Sequence, residues 1–348
     1  MSGPRAAAAF ALVFLLSCAT SGVGDDELAQ PPIAALYWSW DEAQSRANAA
    51  EGAGGPRRMG VARAGDIGRL LGAGGGAGPD LAARRYPGRL SLIDPATGRV
   101  EPIEAAPPGA IPLAWSSDRS RLLLVATRLG RAPQVYEYRL DEQELRPVTS
   151  GPAGHTAATY GPDGRLVVVT QVGPQHSRVD LLTESWRFER TLFHGPQVTR
   201  VSWSPRGDMM LLAVLAPRGG ARSDEVSWML FAASTDDPGW TWPPTATGAL
   251  KPLGRGRDPV FGADGEWFVY SARIGDGWRL RRMRGVGGGR LAVGRGVRDE
   301  FEPALSPDGS LVAYVSEDAG FDRLFVRRVD GSGDRLLLPD GVVARPVW

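Results

Sequence analysis

Residues 302–338 read EPALSPDGSLVAYVSEDAGFDRLFVRRVDGSGDRLLL, a run in which apolar and polar positions alternate in short stretches broken by glycine turns. LVAYVS and RLFVRRV each carry the two-residue period of a half-buried strand. The Asp-Gly pairs beside them favour tight hairpins. This pattern predicts four short antiparallel strands in a meander.

The opening of that unit recurs along the chain. It reads PLAWSSD at 112–118, ATYGPDG at 158–164, VSWSPRG at 201–207, PVFGADG at 259–265, PALSPDG at 303–309 and PVW at 346–348. The anchor residues Trp115, Tyr160, Trp203, Phe261, Leu305 and Trp348 are spaced by 45, 43, 58, 44 and 43 positions. A period of roughly 40–45 residues with four strands per unit is the signature of a β-propeller. The P-x-W-S-P-D-G shape resembles the repeats of TolB-like propellers, over most of residues 111–348. The resemblance implies an all-β, six-bladed propeller.

Six anchors imply six innermost strands, yet Pro346 and Trp348 leave no chain to complete their blade. The missing strands are expected from the N-terminal region: IAALYWS from Ile33, RLSLID from Arg89 and RVEPI from Arg99. Blade one would then combine 343–348 with 33–104. Such a closure pairs strand edges that are costly to leave open. The Gly/Ala-rich stretch at about 41–87 has too little to bury and is expected as a disordered insertion, with a short helix near 66–71. The predicted organisation is a leader at 1–17, a flexible tether at 18–31 and one propeller domain at 32–348.

Composition narrows the class of function. Lys plus Arg number 40 and Asp plus Glu 39, so nothing provides the basic footprint that nucleic-acid binding needs. The N-terminus sets one arginine before AAAAFALVFLLS and the sole cysteine, Cys18. That apolar run is too short to span a membrane and reads as a secretory signal. LLSC at 15–18 resembles a bacterial lipobox, which implies lipidation of Cys18 and export, with Ala19 pointing to the outer membrane facing the periplasm.

Candidate chemistry is sparse. A peptidase of the prolyl-oligopeptidase type would need G-x-S-x-G in a hydrolase domain, and that pentapeptide does not occur. The three histidines, His155, His176 and His194, are expected in loops around blade three on one face of the ring, where imidazoles could hold a metal or simply be solvated. Trp240 and Trp242 lie in the longest excursion, ASTDDPGWTWPPTATG at 233–248. They would either anchor a partner or fold back against the ring. The resemblance implies a non-enzymatic, lipid-anchored scaffold, monomeric and without cofactor, that binds an envelope protein or peptide. The alternative is a metal-dependent carbohydrate-active enzyme or small-ligand sensor built on the histidine face.

Overall fold

The computed structural model describes residues 22–39, 42, 88–128, 132–217, 226–236, 240–244, 248–294, 296, 298–318 and 321–348. Leader residues 1–17, Cys18 and the 41–87 insertion apart from Glu42 lie outside the described residues. Among the described residues no helix is long and apolar enough to cross a membrane.

The described residues form 22 strands. Strands β1 (Ile33–Ser39), β2 (Arg89–Ile93) and β3 (Val100–Pro102) form blade one together with the last strand, β22 (Gly341–Val347). Blade two is β4 (Ile111–Trp115), β5 (Arg121–Ala126), β6 (Gln134–Arg139) and β7 (Glu144–Pro147). Blade three begins with β8 (Gly154–Tyr160), β9 (Leu166–Gly173) and β10 (His176–Leu182). It is completed by the first half of the 16-residue β11 (Phe188–Trp203), whose second half opens blade four. Blade four continues with β12 (Met209–Pro217) and β13 (Val226–Ser234). The 12-residue β14 (Leu250–Phe261) likewise closes blade four and opens blade five. Blade five adds β15 (Trp267–Ile274), β16 (Gly277–Arg284) and β17 (Arg290–Ala292). Blade six is β18 (Glu300–Leu305), β19 (Leu311–Asp318), β20 (Phe321–Arg328) and β21 (Arg335–Leu336). All pairings within the blades are antiparallel, and the six innermost strands contact one another in cyclic order, β22 lying against β4.

Strand alternation explains the core. Successive residues point to opposite flanks of a blade, so each sheet feeds two interfaces. Leu122 and Leu124 pack toward blade one, whereas Leu123 and Val125 pack toward blade three. The described hydrophobic clusters correspond to the six blade–blade interfaces. The aromatic anchors fit between blades: a Cβ on Gly161 would stand 2.5 Å from the Trp203 ring, so only glycine admits that close approach.

The predicted turns recur in place. Gly164, Gly207, Gly265 and Gly309 adopt φ of 81°, 81°, 68° and 72°, the left-handed conformation that the hairpins require. In blade two the turn has no glycine, and Arg119 adopts φ 62° there while stacking 4.9 Å from the Trp115 ring centroid.

The two ends of the chain meet in blade one. Tyr37 pairs with Val343 and Ala34 with Val347 across β1 and β22. The Trp348 indole is 8% exposed and donates to the Pro31 carbonyl at 2.8 Å. The Trp115 indole, in the next blade, donates to the Val347 carbonyl at 3.2 Å.

One expectation is corrected. The sequence predicts a flexible tether at 18–31, but its described part, residues 22–31, packs along blade six. Val23 and Leu28 are buried in the interface between blades six and one. The Val23 N–H donates to the Gly333 carbonyl at 3.1 Å, and Glu27 pairs with Arg328. Two apolar side chains in a polar segment suffice to hold it, because they enter a groove that only the assembled ring offers.

Trp348→Ala should destabilise the protein by about 3 kcal/mol or more, because it removes a buried aromatic anchor and the hydrogen bond that ties β22 to the chain before β1. Urea unfolding measures this directly, and an unchanged midpoint would contradict the role assigned to the terminal strand.

Candidate functional site: the central channel

Each innermost strand carries a register shift near its middle. The irregularities fall between Pro112 and Ala114, His155 and Ala157, Val198 and Arg200, Arg257 and Val260, and Phe301 and Ala304. In blade one the shift spans Ala344 to Val347. A bulge bends its strand and re-aims side chains that would otherwise follow the alternation. In blades five, six and one it forces a charged residue into the left-handed region: Asp258 at φ 51°, Glu302 at 52° and Arg345 at 57°. Such conformations cost roughly 1–3 kcal/mol each in non-glycine residues and gather at functional sites.

These side chains meet although they belong to different blades. Arg345 Nε lies 3.5 Å from Glu302 Oε1, and Arg345 Nη1 lies 3.9 Å from Asp258 Oδ1. Glu302 Oε2 also accepts the backbone N–H of Arg345 at 2.7 Å. Arg345 thus reaches from blade one past blade six to blade five, which places all three on the axis side of the ring. Arg257 Nε stands 3.3 Å from Asp258 Oδ2. Its guanidinium is enclosed by rings from three blades, 4.2 Å from the Trp278 centroid, 5.5 Å from Phe301 and 5.8 Å from Trp228.

Arg200 of blade four completes the set. Burial pushes its guanidinium below the ordinary arginine range; the charge of Arg345 adds to that effect, while Asp258 and Glu302 oppose it. Three guanidinium groups (Arg200, Arg257, Arg345) therefore cluster with two carboxylates (Asp258, Glu302). All five are buried.

Asp258-Pro259, Glu302-Pro303 and Arg345-Pro346 each set a charge three residues before an anchor. That signal was present in the repeat, but a motif read from the proline onward passes over it.

The sequence-predicted site residues are placed elsewhere. His155 lies within β8 instead of a loop, is 9% exposed, and has its Nδ1 3.2 Å from Thr170 Oγ1. Thr170 has one hydroxyl proton and donates it to Asp180 at 3.2 Å, so His155 must donate to Thr170 through Nδ1–H. Arg178 Nε and Thr191 Oγ1 donate to the same carboxylate, each at 2.8 Å. His176 and His194 are exposed on β10 and β11. Among the described residues no group of three or more His, Cys, Asp or Glu is arranged to hold a metal.

Trp240 is 4% exposed, donates its indole N–H to the Ser234 carbonyl at 2.8 Å and bridges to Phe193. Trp242 is half-buried, edge-on to Phe231 and Phe193 at 5.6 and 6.4 Å. Trp240 and Trp242 of the excursion thus pack on the flank of blades three and four. Pro346 and Trp348 stand at the junction of β22 with the chain before β1.

Two measurements test these assignments. Arg345→Met should cost about 3 kcal/mol, because it leaves Glu302 as a buried carboxylate without a cation, and adding Glu302→Gln should recover much of the loss. A double-mutant cycle that shows no coupling would disprove the pairing. Burial holds the His155 pKa at about 4, against 6.5 for an ordinary histidine. Between those values the unfolded chain binds a proton that the folded chain refuses, so stability falls as pH drops from about 6.5 to about 4. His155→Gln should remove that part of the decline in a pH series of melting temperatures.

No protein-family model matches the chain. The uncharacterized peptidase YuxL of Bacillus subtilis (strain 168) is 24% identical over 164 residues, which are 46% of this chain and 21% of that protein. The chain thus spans about a fifth of that relative. Among solved structures, TolB from Acinetobacter baumannii superposes with a TM-score of 0.62 at 16% identity, covering 93% of this chain and 67% of that one. A candidate TolB from Agrobacterium tumefaciens gives 0.54 at 18% identity, covering 70% of this chain and 91% of that one. At this level of identity the likeness concerns architecture, and the fold is that of a TolB-like β-propeller.

Proposed function

We propose that the protein is a non-enzymatic, membrane-anchored periplasmic scaffold that holds a protein or peptide partner of the bacterial cell envelope in its propeller channel. The observation that carries this reading is the channel itself. Strained bulges on the innermost strands bring Asp258, Glu302 and Arg345 together from blades five, six and one. Buried ion pairs of this kind often stabilise less than apolar residues of the same volume would, so their presence is better explained by recognition than by stability. The TolB-like fold and the lipobox-like LLSC at 15–18 support an exported, anchored chain, with Cys18 as the lipidated residue. The metal-dependent alternative gains no support from His155, which sits inside blade three with its ring nitrogen committed to Thr170.

Crosslinking in intact cells, followed by affinity purification from envelope fractions, tests the proposal. The full chain should retain a discrete envelope partner, and Arg345→Met/Glu302→Gln, which removes one charge of each sign, should retain at least several-fold less of it. In the same preparations Cys18→Ser should move the protein from the membrane fraction to the soluble periplasm. Retention in the membrane fraction would refute the anchor, and failure to capture a partner would refute the scaffold.

A further inference from the structure

On the inner strand of blade four, Gln197 and Arg200 stand out because neither has found a partner. Gln197 is 2% exposed, and neither Nε2 nor Oε1 makes a hydrogen bond. Arg200 is 8% exposed, and among the described residues its guanidinium has no hydrogen-bond or ion-pair partner. A buried amide or cation left in this state costs free energy that an apolar side chain would avoid. Native structures keep such groups where something else completes them.

The register shows that the two act together. Gln197 pairs with Leu215 and Arg200 with Ala213, positions two apart on β12. Residues directly opposite share a face, so the bulge between Val198 and Arg200 places Gln197 and Arg200 on one face of the blade. That face carries Leu211, which packs toward blade five, where Arg257 and Asp258 stand. Trp228 pairs with Leu215 and joins the same row, and it forms one wall of the aromatic enclosure around Arg257. The corner between blades four and five therefore offers an unpaired guanidinium and an unpaired amide, with two further guanidinium groups (Arg257, Arg345) and two carboxylates (Asp258, Glu302) close by. Its surplus is positive, and its unmet groups include more donors than acceptors.

We propose that Arg200 and Gln197 form a carboxylate-binding site in the channel, with the guanidinium taking the two oxygens and the amide N–H₂ fixing their orientation. Arginine's planar fork suits a carboxylate bidentately, and such charge-assisted bonds are the strong ones. The carboxylate is that of an acidic peptide, either a Glu or Asp side chain or the chain's own C-terminus. This deepens the scaffold reading and rests on it for the peptide nature of the ligand.

Calorimetric titration of the full chain tests the site with four probes: a capped hexaglutamate peptide, a capped hexaglutamine peptide, a hexaglutamine with a free C-terminal carboxylate, and succinate. Capped hexaglutamate should bind and capped hexaglutamine should not; binding of the free-terminus peptide or of succinate alone would keep the site and assign its source as a terminus or a free acid. Arg200→Met should weaken the bound probe at least ten-fold and Gln197→Leu several-fold, and both variants should melt higher than the parent. The rise in melting temperature separates this role from a structural one, which would lower it. If no carboxylate probe binds, if Arg200→Met leaves affinity unchanged, or if that variant melts lower, the proposal is overturned. Capture of the same envelope partner by the parent and by Arg200→Met would also overturn it, while the scaffold reading would stand.

Discussion

The hydrogen bond from Trp348 to the Pro31 carbonyl joins residues 317 positions apart, and the ladder between β1 and β22 continues that contact across blade one. The rest of the architecture depends on this pairing. Each blade buries its two flanks only against neighbours, so a gap at blade one would expose the interfaces on both of its sides. Closing so long a loop adds only slowly to the entropic cost. Val23 and Leu28 reinforce the seam from outside by packing the preceding segment onto blade six.

The channel follows from the same geometry under a second constraint. Six inner strands converge on one axis, and the bulge on each turns residues away from the flanks. Where those residues are charged, the ring brings opposite charges together from blades five, six and one. The cost of backbone strain and desolvation is partly offset by ion pairing, and Arg200 remains as the cation that the pairing does not reach.

The fold was legible because its signals are local and repeated. Asp-Gly turns, two-residue alternation and the aromatic anchors each depend on a few neighbouring residues, and six copies average out the degeneracy of any one. The site was less legible. His155 looked like a loop residue because it follows GPAG, but β8 starts at Gly154 and carries it into the blade. For Trp240 the Pro-, Gly- and Asp-rich surroundings left two readings open, a partner anchor or a fold back against the ring, and its burial beside Phe193 and Phe231 matches the second. The tether reading of 22–31 failed because the groove that receives Leu28 is built by residues hundreds of positions away.

The sequence alone therefore determined the repeat, the blade count, the turn chemistry and the joining of the two ends, because all of these follow from short-range periodicity and from the need to pair open strand edges. Which side chains face the axis was decided only by the tertiary structure. Alternation along a strand predicts two flanks and no third direction, and the charged residues of blades five, six and one meet where bulges break that alternation. Asp258, Glu302 and Arg345 are ordinary polar residues until the ring closes around them. Arg200 stands without an ion pair of its own while Asp258 and Glu302, which act on it at longer range, lie against Arg345.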